Sequence, residues 1–282
     1  MSSGGIAWLA GRWGEATELA IPLQDRGLRL ADGLFETVLV WAGQPRLLAE
    51  HLQRWRDGAA LLGMAAPPDR AWLEPLITEA IERAGLTGGH GALRLNWSRG
   101  MAGGRGIDLA AAADEPAAHR FWLQLSACTP TFSPQTTWIS RQERRNADSL
   151  LSRCKTFAYG QAIQARREAR AAGADEALLL SSGGGLCCGA VANLLVRRAD
   201  RWLTPPLRSG CLPGVMRGRA LALGLAVEAD LTAAQTEIPP EESEAHCLLL
   251  NSLGCRPVSA IDGRPRPHLS AAEAEAFWRR LL

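Results

Sequence analysis

The segment Leu34 to Trp41, LFETVLVW, reads as a strand, and Ala42-Gly43-Gln44-Pro45 behind it reads as a turn. The order of elements after this turn restricts the possible folds. Two stretches with helical spacing come next, His51 to Leu62 and Asp69 to Ala84. In the second, Trp72, Leu76, Ile77, Ala80, Ile81 and Ala84 fall on one side, with Asp69 placed as the N-cap. Gly91 to Ser98 and Arg120 to Ser126 are strand-like again, around a Gly- and Ala-rich loop from Arg99 to Pro116. One strand, two helices and a return to strands is not the regular βαβ alternation of a doubly wound sheet. Mixed α+β is the class this order predicts.

A chain of 282 residues is long enough for about two cores. Cys128 to Thr137, CTPTFSPQTT, with two prolines and clustered hydroxyls, is the linker candidate. The expected division is an N-terminal α+β domain over 1–128, a linker over 129–137 and a C-terminal α/β domain over 138–282. The second part opens on a polar stretch, Arg141 to Ser149, of which the basic run Arg141 to Arg145 reads as a solvated connection. A helix is expected from Tyr159 to Ala172, and another over Val215 to Leu223. Strands are expected at Ala177 to Leu180, Val191 to Val196, Arg201 to Thr204, Cys247 to Leu250 and Pro257 to Ile261, with a turn at Gly183-Gly184-Gly185.

Charge and cysteine usage exclude several functions. The net charge is only +2 and the arginines are spread, which argues against nucleic acid. No apolar run approaches the roughly 18 residues that span a bilayer, and no basic start precedes an apolar stretch, so a cytoplasmic protein is expected. Seven cysteines, none in a Cys-x-x-Cys pair, point to reduced thiols and not to a metal site or disulfide framework. Walker-type, dinucleotide-binding, zinc-helix, calcium-loop and Gly-x-Ser-x-Gly motifs are all missing. His51, His90, His119, His246 and His268 are isolated in sequence and read as structural.

Of 31 basic residues, one is a lysine, Lys155. Arginine stays protonated, whereas a desolvated lysine can lose its proton and form an imine with a carbonyl. A lysine kept in a chain that otherwise uses arginine is a candidate for chemistry arginine cannot do; the alternative is a surface lysine left by chance. The only tyrosine, Tyr159, lies four residues on, which would put both side chains on one face if the segment were helical.

Several separated segments together resemble the fold-type IV pyridoxal-phosphate enzymes, the class IV aminotransferases. They are Asp25 to Glu36 (DRGLRLADGLFE), His51 to Arg54 (HLQR), Lys155 in SRCKTFAY, Gly173 to Leu180 (GADEALLL), Ala192-Asn193-Leu194, Thr204-Pro205-Pro206, Gly214-Val215-Met216-Arg217 and Asn251-Ser252. Their order and spacing match over about residues 20 to 262. The resemblance implies the two-domain α+β fold of D-amino acid aminotransferase-like enzymes, pyridoxal 5'-phosphate as cofactor, and a homodimer with its active site between domains and near the partner subunit. It also implies Lys155 as the Schiff-base lysine and base. Arg54, Ser252 and the amides of Val215 and Met216 would hold the cofactor phosphate, and Asn193 would support backbone geometry. Tyr159 is either a partner of the ring hydroxyl or a packed aromatic.

Within the family, Arg99 to Gly106 (RGMAGGRG) is similar to the loop of 4-amino-4-deoxychorismate lyase, as is Asn251-Ser252-Leu253 before Arg256-Pro257-Val258. The implied activity is release of pyruvate from aminodeoxychorismate to leave 4-aminobenzoate for folate synthesis. Arg99 and Arg105 are then either ligands of the substrate carboxylates or exposed loop residues. An aminotransferase for D- or branched-chain amino acids is the alternative. One residue departs from the pattern. The family's glutamate at the pyridine nitrogen, five residues before the asparagine, is here Cys188 in GLCCGAVAN. A thiol is a weak donor and cannot supply a carboxylate's charge. A weakened electron sink follows, or a cofactor-binding protein without turnover.

Overall fold

The computed structural model describes residues 5–101, 106–109, 115–198, 200–232 and 246–282. It divides into two units, Met1–Thr129 with Cys154–Ala158, and Pro130–Arg153 with Tyr159–Leu282.

The first unit runs β1 (Ile6–Leu9), β2 (Arg12–Glu15), α1 (Arg26–Leu30), β3 (Gly33–Trp41), β4 (Gln44–Pro45), α2 (Leu48–Leu61), α3 (Arg70–Arg83), β5 (His90–Ser98) and β6 (Arg120–Ala127). Among the described residues the sheet order is β2-β1-β6-β5-β3-β4. The antiparallel β3–β5 register runs unbroken from Gly33↔Ser98 to Trp41↔His90. The predicted turn closes β3 onto β4 through Ala42 (φ 50°) and Gly43 (φ 71°), the left-handed pair that suits a two-residue hairpin. A Cβ on Gly43 would fall 2.0 Å from the Thr87 carbonyl oxygen, so that position needs glycine.

Helix α3 starts as expected, the Asp69 carboxylate accepting from the Trp72 amide at 2.9 Å. Its buried residues are Leu73, Ile77, Ala80 and Ile81. Trp72, expected inside, is 46% exposed. The inward stripe is rotated by one residue, and Trp72 lies along the edge with its ring against Trp8 and Phe121. Helix α2 packs on β3, and α3 on β1 and β6. The core between them holds Leu34, Val38, Leu52, Trp55, Leu93 and Leu123.

The second unit runs β7 (Gln135–Arg145), α4 (Gly160–Ala171), β8 (Glu176–Ser181), β9 (Leu186–Gly189), β10 (Asn193–Arg198), β11 (Arg201–Thr204), α5 (Val215–Ala222), β12 (Ala226–Glu228), β13 (Cys247–Asn251), β14 (Gly254–Ile261), β15 (Arg264–Pro265) and α6 (Ala271–Arg279). Its sheet order is β12-β11-β10-β13-β14-β7-β8-β9, with β15 on β14. A further pairing, Asn193↔Cys188, joins β9 to β10 and closes six strands into a ring. Closure leaves those strands without an open edge. Ile139, Leu178, Leu194, Val196, Leu249 and Val258 fill one cluster of this unit. Helix α4 lays Ala162, Ala165 and Ala169 inward beside β7 and β8, small side chains that permit close approach. Helix α6 is set by a capping box, Ser270 with Glu273.

Three expectations change. The linker is shorter than 129–137, because Gln135 to Thr137 already pair with β14. Arg141 to Arg145 are solvated as expected, with Arg141, Gln142 and Arg144 exposed, but they continue β7 and are not a connection. Lys155, expected in the C-terminal domain, belongs to a five-residue return of chain in the first unit. Backbone bonds place it there, from Phe35 N–H to the Lys155 carbonyl (2.9 Å) and from Phe157 N–H to the Gly33 carbonyl (3.0 Å).

Candidate functional site

Cys154 to Ala158 pair antiparallel with the start of β3, with a bridge between Leu34 and Thr156. Alternation along this extended stretch buries Cys154 and Thr156 and turns Lys155 and Phe157 the other way. Lys155 and Tyr159 therefore share no helical face, since the helix begins only at Gly160. The Lys155 Nζ lies 4.3 Å from the centroid of the Phe35 ring. Phe157 stacks beside Phe35, and the Arg94 guanidinium carbon sits 3.5 Å from the same ring centroid. The single lysine is thus presented on an aromatic floor that it shares with an arginine of β5. Sequence reasoning missed Arg94, because its signal is only a charge in the apolar alternation of GALRLNWS.

Arg54 and His51 are one helical turn apart on α2 and meet Glu36 of β3. Arg54 donates to Glu36 through Nε (2.8 Å) and Nη2 (2.5 Å), and the His51 Nδ1 lies 2.7 Å from Oε2. Glu36 and His51 are buried. Burial alone would push the Glu36 carboxyl up, but the Arg54 charge and the His51 and Arg54 hydrogen bonds outweigh it and hold its pKa at about 2. His51 is pushed below the usual imidazole value, first by burial, with the Arg54 and Lys155 charges adding to it. At neutral pH His51 is then a neutral ring donating Nδ1–H to an ionised Glu36, and Arg54 is oriented by a two-point grip.

The opening motif Asp25 to Glu36 is largely a scaffold. Asp25 caps α1 at the Gly27 amide and accepts from Ser98 Oγ (2.5 Å) and Arg120 Nε (2.9 Å). Arg99, expected either on a substrate carboxylate or exposed, is neither. It is 4% exposed, with Nη1 on the Gly63 carbonyl (2.8 Å), Nη2 on the Leu62 carbonyl (2.7 Å) and Nε beside Asp32. Its guanidinium closes the end of α2, where helix carbonyls lack partners. Arg105 lies outside the described residues.

In the second unit, α5 begins at Gly214 with no side-chain cap, leaving the Val215 and Met216 amides at a helix start. Such amides suit a phosphate. Asn193 shapes this start, donating to the Leu212 carbonyl at 2.9 Å, and a Cβ on Gly214 would fall 1.9 Å from its Oδ1. Cys188 stands opposite Asn193 and is 7% exposed. Its neighbour Cys187 is pushed well above the ordinary thiol range, first by its hydrogen bond with Cys188 and further by burial. Ser252 lies in the turn from β13 to β14, which the Asn251 Oδ1 tightens by accepting from the Leu253 amide (2.8 Å). Tyr159 is half-buried and immediately precedes α4.

In the first unit the Lys155 amine and the oriented Arg54 guanidinium, and in the second the uncapped start of α5 at Gly214, are each groups that suit a phosphorylated aldehyde such as pyridoxal phosphate. The residue paired with Asn193 supplies a thiol where the resemblance calls for a carboxylate.

The chain is similar to several known proteins. Aminodeoxychorismate lyase of Bacillus subtilis (strain 168) is 25% identical over 212 residues, covering 75% of this chain and 71% of that protein. D-alanine aminotransferase of Bacillus licheniformis is 26% identical over 224 residues, covering 76% and 72%. The PLP-bound form of a hypothetical aminotransferase from Mycobacterium tuberculosis has the same fold, with a TM-score of 0.77 at 22% identity over 98% of this chain and 97% of that one. The family model for amino-transferase class IV matches residues 33–261, and the chain belongs to that family.

Proposed function

We propose that this chain is a pyridoxal-phosphate-dependent 4-amino-4-deoxychorismate lyase, releasing pyruvate and leaving 4-aminobenzoate. The observation that carries this reading is Cys188, buried and paired with Asn193 at the position where a carboxylate would serve the pyridine nitrogen. When bound, the cofactor supplies an electron-withdrawing ring conjugated to the substrate's amino-bearing carbon. Lys155 Nζ takes the proton from that carbon. Arg54, kept in place by Glu36 and His51, and the Val215 and Met216 amides bind the phosphate, with Ser252. Tyr159 is a partner for the ring hydroxyl. Arg94, on the aromatic floor of Lys155, takes over the substrate-carboxylate role expected of Arg99.

A thiol at 188 harms transamination more than this lyase reaction. Loss of the enolpyruvyl group aromatises the substrate ring, so the product supplies driving force that transamination lacks. The protein acts in the cytoplasm as a homodimer, which light scattering tests.

The deciding experiment is release of 4-aminobenzoate and pyruvate from aminodeoxychorismate, run beside transfer from D-alanine or branched-chain amino acids to 2-oxoglutarate. Lyase turnover abolished by Lys155→Ala is the expected result. Transfer without lyase turnover would establish the aminotransferase reading, which the D-alanine aminotransferase relative favours. Bound cofactor with neither activity would leave a protein without turnover.

A further inference from the structure

Arg266 follows β15, its backbone N–H donating to the Ser259 carbonyl at 2.8 Å. Its side-chain Nε and Nη2 are buried, and among the described residues neither meets an acceptor. These two nitrogens form the edge with which a guanidinium grips two oxygens at once. The same edge is used inside this protein, where Arg54 holds Glu36 and Arg166 holds Glu176 through Nε and Nη2. A buried donor pair left without acceptors is costly, and here it belongs to a cation.

The surroundings do not relieve it. Burial pushes the Arg266 pKa down and the charge of Arg198 lowers it further, with Cys247 acting the other way. Arg266 thus lies at the rim of the cluster that includes Cys247.

The corner is not the cofactor site. In the β10–β13 register, Asn193↔Leu250 marks one end, and Cys188 and Ser252 belong to it. Val196↔Cys247 marks the other, where Arg198 and Arg266 lie. Three strand residues separate the ends, roughly 10 Å.

We propose that Arg266 forms a second binding site for a small oxyanion, a carboxylate or a phosphate taken side-on by Nε and Nη2. This site does not depend on the lyase reading.

The test is calorimetric titration of the protein, loaded with pyridoxal phosphate so that a cofactor-phosphate site is filled, with inorganic phosphate and separately with acetate, at ionic strength matched with chloride. Saturable one-site binding of either anion is expected, weakened at least tenfold by Arg266→Gln and unchanged by Arg264→Gln on the same hairpin. Tighter binding of phosphate or of acetate tells which oxyanion the site takes. Should Arg266→Gln not fold, Arg266→Lys keeps the charge without the planar edge and must also weaken binding. Absence of binding to the unaltered protein, or affinity insensitive to Arg266, overturns the proposal.

Discussion

Glu36→Gln removes one negative charge from a buried three-residue network and leaves its shape nearly unchanged. In the folded protein Glu36 holds its proton only below pH about 2, against a usual 4.5. That difference corresponds to about 3 kcal/mol of stabilisation at neutral pH, in line with the roughly 3–5 kcal/mol lost when one partner of a buried ion pair is removed. Because the folded pKa is depressed, the contribution is fully present above pH 4.5 and is lost as pH falls toward 2. The gap between the natural protein and Glu36→Gln should therefore be about 3 kcal/mol at pH 7 and shrink steadily in acid. Urea unfolding followed by tryptophan fluorescence reads the correct unit, since seven of the ten tryptophans lie before Thr129. A gap under about 1 kcal/mol at pH 7, or one that stays constant down to pH 3, would refute the electrostatic account.

Other substitutions separate binding from scaffolding. Arg99→Gln should cost about 2 kcal/mol or more by stranding the Leu62 and Gly63 carbonyls, while kcat/KM per folded molecule stays unchanged; a rise in KM without loss of stability would restore Arg99 to the substrate. Gly214→Ala forces Asn193 away from the start of α5, and absorbance titration should show cofactor affinity falling at least tenfold. Cys188→Glu should raise transamination relative to lyase turnover, and an unchanged ratio counts against the role given to the thiol. Of the seven cysteines only Cys128 is not buried, so brief alkylation of the native protein followed by peptide mapping should find the label there.

Local pattern made much of the architecture legible. LFETVLVW, the Asp69 cap and the spacing of Val215 to Ala222 carry signals that depend on neighbours within a few residues, and those elements form as expected. Strand β9 was missed because four residues, LCCG, have no periodicity to read, and pairing with β8 and β10 is what makes them a strand. Trp72 and Leu73 exchanged places because helical spacing gives a stripe but not which of two adjacent apolar residues faces the sheet.

The candidate site divides in the same way. Composition singled out Lys155, since a lone lysine among arginines is visible without any fold, and the ordered motifs picked out Arg54, Asn193 and the glycine before Val215. The chemical identity of each side chain, and so the kind of cofactor it could serve, was in the sequence. What each side chain touches was not. Glu36 and His51 are fifteen residues apart, Arg99 and Leu62 thirty-seven, and only β3, α2 and the end of β5 packing together joins them. Arg99 and Arg266 illustrate the limit. Burial spends the first on the carbonyls that follow α2 and leaves the second's Nε and Nη2 without an acceptor among the described residues, because desolvation is a property of position in the fold.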